Sequence, residues 1–300
     1  MSKIEKALER AKQLRQEGQQ EAPEAEPFKS EAKPFKSEAK PVKSEAPPPD
    51  RVATPQKQVG RSVGGTRKPV YTQTKVLPLD ERHLERHRVV SFPDDPGVMD
   101  HYNLLRTQVL QRTRALGHNA LMITSVVADE GKTVTAINLA VSIAREVKQT
   151  VMLVDTDLRH PKIDTYLGCA AKRGLSDYLQ DDVPVSDLLV NPGLDKMVIL
   201  PAGKPLYGST DILGSPKMEK LVAEMKQRYP ERYVIFDCPP VLTVPDALVF
   251  SSYVDGVILV VAAGKTSTDQ IQQAVALLEE KNIVGLVMNK ADSSSYGCYY

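Results

Sequence analysis

The sequence predicts an α/β fold over about residues 100–292, with a mostly parallel sheet covered by helices on both faces. Short β-branched apolar runs alternate there with helical stretches of about 10 to 15 residues, which is the pattern of strands buried on both faces. The chain has 300 residues, of which 41% are hydrophobic and 26% charged, enough for one large domain or two small ones. Composition also shifts near residue 100, which separates this domain from the segment before it.

The predicted elements begin with a helix over Met99–Leu116, closed by Gly117, because glycine readily adopts the left-handed backbone that ends many helices. A strand over Asn119–Ser125, a turn and a long helix over Lys132–Val147 follow. The later elements are strands at Thr150–Val154, Lys196–Leu200, Tyr233–Phe236, Gly256–Ala262 and Ile283–Met288, and helices at Pro216–Arg228 and Ser267–Lys281.

The N-terminal region is predicted to contain a short amphipathic helix over residues 1–17 and a disordered tether over residues 18–80. A helix this short is only marginally stable in isolation, so it either docks on a partner or membrane surface or frays. The tether is rich in Pro, Lys and Glu, and from Pro27 it holds a seven-residue repeat, PFKSEAK, PFKSEAK and PVKSEAP. Such a mixture cannot bury enough surface to offset chain entropy. Residues 51–75 carry six Lys/Arg and no acid. They are either a solvated linker or a segment that contacts anionic surfaces.

Overall composition excludes several classes of function. The formal charge of +1 gives no global attraction to nucleic acid. Cys169, Cys238 and Cys298 are far apart, without the spacing of a disulfide scaffold or zinc module. The most apolar run, Val257–Ala263, is far shorter than the roughly 20 residues of a membrane helix. We therefore expect a cytoplasmic protein.

A phosphate-binding loop is predicted between the Asn119–Ser125 strand and the helix after it. Gly131 lets backbone amides approach phosphate oxygens, Lys132 supplies a positive charge, and the hydroxyl of Thr133 can reach Mg²⁺. The pattern G-x-x-x-x-G-K-[ST] has glycine where this chain has Val126. The prediction therefore depends on the strand before the loop and the helix after it.

Carboxylates follow two further strands. Asp155 and Asp157 come after one buried strand in LVDTDLR, and Asp237 ends another in YVIFDCPP. Ligands of open α/β sheets bind beyond the carboxyl ends of the strands, so these acids and the loop are expected to converge. Each acid alone could equally be a helix N-cap, but together with a phosphate loop they indicate a Mg²⁺-bound nucleoside triphosphate.

The C-terminal segment, residues 293–300, reads SSSYGCYY and holds Tyr296, Tyr299 and Tyr300. Its serines and glycine favour mobility, and nothing in it is apolar enough for a core element. The tyrosines are therefore either phosphoryl acceptors or rings that dock on the surface.

These motifs resemble the bacterial tyrosine kinases of exopolysaccharide and capsule biosynthesis, P-loop NTPases similar in fold to the MinD/ParA-like division-site and partitioning ATPases. The resemblance covers about residues 90–300, with a kinase domain over 90–292, and the opening residues look closest to autokinases associated with exosortase and chain-length-determinant genes. The motifs that carry it are EGKT with AINLA, VMLVDTDLRHP, GLSDYL, LPAG, YVIFDCPPVLTVPDA, DGVILVV and the tyrosine tail.

The resemblance implies ATP and Mg²⁺ as cofactors and assigns the central roles. Lys132 and Thr133 would bind the phosphates and Mg²⁺, while Asp155, Asp157 and Asp237 would arrange metal and acceptor. Thr133, Asp155 and Asp237 are the expected metal ligands, and Asp155 is the favoured acceptor of the tyrosine proton.

Further nucleotide contacts are implied on both sides of the loop. Glu130, Gly131 and Val134 would line the phosphates. Arg159 would lie near the phosphates or a subunit interface, and Asn289 would contact adenine.

Two departures from the family pattern bear on nucleotide binding and assembly. Ala128 and Asp129 replace the usual Pro-Gly, which puts an acid near the phosphates or pointing outward. The assembly helix of the family reads E-x-x-R-x-x-R, where this chain has Asp100, Asn103 and Arg106.

Autophosphorylation in trans within a homo-oligomeric ring is implied, with control of polysaccharide polymerisation or export. The implied partners are a membrane-embedded chain-length determinant (polysaccharide co-polymerase), which would recruit the kinase to the inner face of the membrane, and a cognate tyrosine phosphatase, with no nucleic acid. One alternative is a nucleotide-switched ATPase scaffold of the partitioning type, although Val127 replaces its signature lysine. Another is a non-catalytic adaptor.

Overall fold

The structure is a computed structural model that describes residues 74–78, 80–89, 96–229, 231–278 and 281–291. The predicted N-terminal helix, most of the predicted tether and the tyrosine tail lie outside these residues. No helix in the described ranges is both long and apolar enough to cross a bilayer.

One sheet of eight strands organises the described residues, in the order β1-β4-β5-β3-β6-β2-β7-β8. All neighbouring strands run parallel except β4 and β5, which are antiparallel. The strands are β1 Lys75–Val76, β2 Ala120–Ser125, β3 Thr150–Asp155, β4 Val190–Asn191, β5 Met197–Leu200, β6 Arg232–Asp237, β7 Gly256–Ala262 and β8 Ile283–Asn289.

Ten α-helices connect the strands in the described ranges, and a 3-10 turn over Arg114–Leu116 follows the second. The helices are α1 Glu81–Arg86, α2 Pro96–Thr113, α3 Lys132–Arg145, α4 Ile163–Tyr166, α5 Leu175–Asp181, α6 Val185–Leu188, α7 Ser209–Leu213, α8 Pro216–Arg228, α9 Asp246–Phe250 and α10 Thr268–Leu277.

Each face of the sheet has its own apolar core, because side chains of successive strand residues point to opposite faces. Residues of α8, α9 and α10 pack on one face, and residues of α1, α2 and α3 pack on the other. The central strands β2 and β7 are buried along their whole length. The predicted α/β fold with helices on both faces is confirmed.

Several predicted boundaries are confirmed and others were wrong. Strand Gly256–Ala262 and helix Pro216–Arg228 agree with the prediction, and Gly117 has the expected left-handed backbone. The helix predicted to reach Val147 ends at Arg145, because Glu146 is already extended. The helix predicted to reach Lys281 ends at Leu277.

The sheet and its second core include residues 74–78 and 80–89, here called the N-terminal strap. The tether predicted to end at 80 and the domain predicted to start at 90 therefore need correction. Lys75 pairs in register with Val190, and Leu84 is only 2% exposed within the second core. The amide of Asn138 donates to Arg88 O at 2.9 Å. A two-residue strand and a six-residue helix are too short to show hydrophobic periodicity, which is why the prediction missed them.

Candidate active site

The candidate site lies at the carboxyl ends of the central strands β2, β3 and β6. Asp155 and Asp237 end β3 and β6 and are direct partners in the parallel register. Between β2 and α3, residues 126–131 form the predicted phosphate-binding loop, and Lys132 is the first residue of α3. The strands therefore bring the loop and both acids to one edge, as the sequence predicts.

Gly131 has a backbone conformation and surroundings that suit glycine. Its φ is +94°, and a Cβ built there would lie 2.1 Å from Nδ2 of Asn289. That nitrogen donates to Glu130 O at 2.8 Å. Asn289, expected at the adenine, thus holds the backbone of the loop, and its adenine contact stays a prediction.

Glu130 braces the loop from inside. Its side chain is only 2% exposed, and one carboxylate oxygen accepts from Val127 N at 2.8 Å. The other accepts from Ala262 N at 3.3 Å and from the hydroxyl of Thr266. The carboxylate therefore fixes the loop to the end of β7, and only the backbone of Glu130 is left for the expected nucleotide contact.

Val126 and Asp129, which depart from the expected loop sequence, are accommodated in different ways. Val126, where the general phosphate-loop pattern has its first glycine, is fully buried in the core. Asp129 has a φ of +60°, which explains why a glycine there is common. The side chain of Asp129 is exposed, and its backbone oxygen accepts from Lys290 Nζ at 2.5 Å.

Lys132 is held by the acids. Its Nζ lies 2.8 Å from Oδ2 of Asp157 and 3.4 Å from Oδ1 of Asp237. Burial alone would lower the pKa of Lys132, but the charges of Asp237 and Asp157 outweigh it and raise the pKa above its usual value. The hydroxyl of Thr133 donates to Oδ2 of Asp237 at 2.7 Å.

Asp155 is fixed by backbone donors. Its oxygens accept from Asp157 N at 3.1 Å, Lys162 N at 3.0 Å and Ile163 N at 3.1 Å. Burial, and then the neighbouring charge of Asp237, raise the pKa of Asp155 to about 8 despite these bonds. Burial raises the pKa of Asp237 as well.

The donor set suits a Mg²⁺ nucleotide. Three buried carboxylates surround one lysine, so the site has more negative than positive charge. No three acidic, His or Cys side chains of the described residues form a metal cage by themselves. Mg²⁺ at nucleotides usually takes one or two carboxylates together with phosphates and waters. Thr133 and Asp237, with Asp155 beside them, fit that mode.

Arg159 makes a pair that the sequence did not reveal. Its guanidinium donates to both carboxylate oxygens of Asp246 at 3.3 Å, and to the hydroxyl of Thr210 at 3.3 Å. Asp246 is fully buried and also accepts from the hydroxyls of Ser209 and Thr210. Although burial favours its neutral form, these donors and Arg159 lower the pKa of Asp246. Arg159 thus ties the loop after β3 to α7 and α9. Asp246 lies 87 positions along the chain from Arg159, so no local sequence pattern indicates that the two side chains pair.

The remaining predicted site residues are Val134 and the three tail tyrosines. Val134 is half-buried in the first turn of α3. Tyr296, Tyr299 and Tyr300 lie outside the described residues.

Comparison with known proteins gives consistent findings. A model of the AAA domain family matches residues 127–284. Tyrosine-protein kinase YwqD of Bacillus subtilis is 31% identical over 205 residues, 67% of this chain and 85% of that protein. Tyrosine-protein kinase CpsD of Streptococcus agalactiae is 28% identical over 205 residues, 67% of this chain and 87% of that protein.

A solved structure agrees. The kinase domain of the Escherichia coli tyrosine kinase ETK has a TM-score of 0.59 and 27% identity, and the match covers 75% of this chain and 94% of that domain.

Proposed function

The chain belongs to the bacterial tyrosine-protein kinases, a family of P-loop ATPases, and we propose that it phosphorylates its own C-terminal cluster, Tyr296, Tyr299 and Tyr300. The observation that carries the proposal is where the chain leaves the sheet. At the end of β8, its last residue Asn289 and the following Lys290 both bond to the backbone of the phosphate-binding loop.

The acceptors therefore begin a short distance along the chain from the loop. Tyr296 follows Lys290 by six residues, which span at most about 20 Å when extended. Tyr296 is thus close enough along the chain to approach the phosphate-binding loop.

The chemistry proposed is transfer of the γ-phosphoryl group of ATP to a tyrosine hydroxyl. Lys132 would bind the phosphates, and Thr133, Asp155 and Asp237 would hold Mg²⁺. When bound, Mg²⁺ would offset the charge of the phosphates. By family resemblance, Asp155 is the proposed acceptor of the tyrosine proton.

Transfer in trans within a ring is part of the proposal, although the assembly helix is altered. Arg106 donates to Ser142 O at 2.9 Å, and the side-chain oxygen of Asn103 accepts from the Ser142 hydroxyl at 3.1 Å. Two of the three assembly positions therefore contact α3 of the same chain, and Asp100 is exposed. By family resemblance, a membrane-embedded co-polymerase would recruit and activate the kinase, a phosphatase would reverse the modification, and polysaccharide export would be regulated.

Phosphopeptide mass spectrometry after incubation with ATP and Mg²⁺ tests the proposal. We expect phosphotyrosine in residues 293–300 of the active protein and none in Lys132→Met. Changing all three tail tyrosines to Phe should remove most of the label while ATP binding persists. Phosphate release without phosphotyrosine would instead support the switch ATPase, and neither activity would support the adaptor.

Mixing an inactive acceptor chain with an active donor chain tests transfer in trans. The acceptor is Lys132→Met with its tail intact, and the donor is the active chain with all three tail tyrosines changed to Phe. Label on the Lys132→Met tail is expected. An unlabelled mixture, when the unaltered protein labels itself, would contradict transfer in trans.

A further inference from the structure

Tyr207 is the most exposed tyrosine among the described residues, at 98%. It belongs to the loop after β5, which leaves the sheet at the same carboxyl edge as the phosphate-binding loop. The neighbouring Leu206 N donates to Leu158 O at 2.8 Å, and Leu158 directly follows Asp157. The backbone at Tyr207 therefore lies beside the acidic loop that holds Lys132.

The loop is fixed on both sides of this tyrosine. Before it, Pro201 O and Ala202 O accept from the first amides of α5, at 2.7 and 2.8 Å. After it, the hydroxyls of Ser209 and Thr210 bond to the buried carboxylate of Asp246. A tyrosine on an anchored backbone, with its whole ring in solvent, does not serve packing.

Other tyrosines of the described ranges are occupied or distant. Tyr166 stacks on His87, and Tyr178 lies under Lys217 Nζ. The hydroxyl of Tyr233 bonds to Thr113 in the core. Tyr229 is 38% exposed, but it precedes β6 and so lies at the amino edge, about 20 Å of strand from the site.

We infer that Tyr207 is a second phosphoryl acceptor of this kinase, separate from the C-terminal cluster. The inference rests on the proposed autokinase function. In the step, the phenol oxygen of Tyr207 bonds to the γ-phosphorus of ATP while the bond from that phosphorus to the bridging oxygen breaks. ADP leaves with the electron pair, and the phenol proton passes to a carboxylate of the site. The product is phosphotyrosine at the rim of the site that made it.

The test follows phosphate on one peptide. Trypsin does not cut before proline, so Lys204-Pro205 survives, and residues 197–217 form a peptide whose one tyrosine is Tyr207. After incubation with ATP and Mg²⁺, we expect fragment ions that locate phosphate on Tyr207 rather than on Ser209, Thr210 or Ser215. Lys132→Met should carry no phosphate on this peptide.

Substitution separates this acceptor from the tail. Tyr207→Phe should lose the 197–217 label while the tail is labelled as before, and a chain without the three tail tyrosines should still be labelled at Tyr207. Tyr229→Phe, the matched control at the opposite edge, should leave the phosphate content unchanged. Phosphate on the tail but not on Tyr207 would overturn this inference alone. No phosphotyrosine anywhere would overturn the proposed function with it.

Discussion

Replacing Glu130 by glutamine removes one charge from the buried brace of the phosphate-binding loop while keeping the side chain's shape. In the native protein, one carboxylate oxygen accepts from Val127 N and the other from Ala262 N and the Thr266 hydroxyl. A glutamine can keep its oxygen toward Val127, but its amide nitrogen then faces Thr266. The hydroxyl of Thr266 must turn its proton away from that nitrogen and lose its acceptor.

The expected cost follows from those bonds. Hydrogen bonds to charged groups contribute about 1.5–3 kcal/mol, and leaving a buried polar group unpaired costs a similar amount. The bonds to the second carboxylate oxygen from the Thr266 hydroxyl and from Ala262 N are both lost, although Ala262 N keeps the Thr266 oxygen as an acceptor at 3.0 Å. We therefore expect Glu130→Gln to lower the free energy of unfolding by about 1–3 kcal/mol. If the native loop is only marginally ordered and ATP binds its ordered form alone, the dissociation constant should rise by up to about 5- to 150-fold.

Two measurements on one protein decide the outcome: the midpoint of thermal unfolding, and the dissociation constant of a non-hydrolysable ATP analogue with Mg²⁺. The midpoint should fall by about 2–4 °C per kcal/mol. Glu224→Gln is the control, because it removes the same charge from an exposed position of α8. A lower midpoint with unchanged affinity would refute the link between loop order and binding. No change in either would refute the brace itself.

Three further substitutions test other parts of the structure. Asp246→Asn removes the charge that holds Arg159 and should lower the free energy of unfolding, measured by urea titration, by about 1–3 kcal/mol, since Arg159 keeps partial access to water. Leu84→Ala should cost about 2–5 kcal/mol if the N-terminal strap unfolds with the domain; a loss below 1 kcal/mol would show that the strap detaches alone. Asp129→Gly relieves a left-handed backbone and removes a negative charge from the loop, so nucleotide affinity should rise; weaker binding would contradict that reading.

Local pattern predicted the fold and the placement of the acids, because both depend on short segments. The buried run of β7 and the acids that end β3 and β6 can be read from a few neighbouring residues. The side-chain network could not be predicted, since its partners meet only after folding. Thr266 lies 136 positions from Glu130, and Asp246 lies 87 positions from Arg159. Family resemblance placed Glu130 at the nucleotide, and no neighbouring residue in the sequence indicates that its carboxylate instead braces the loop.

The site pairs Lys132 with its own carboxylates, so a nucleotide that arrives with its metal should suit it better than either alone. Lys132 is neutralised by Asp157 and Asp237, so bare phosphates would have to draw the ammonium away and leave those buried carboxylates without a cation. A cation alone would meet carboxylates that already hold Lys132. When both arrive together, Lys132 can turn to the phosphates while the carboxylates keep a positive neighbour. The pKa of Asp155, raised by burial and by Asp237, reflects the same excess of negative charge, which a cation would relieve.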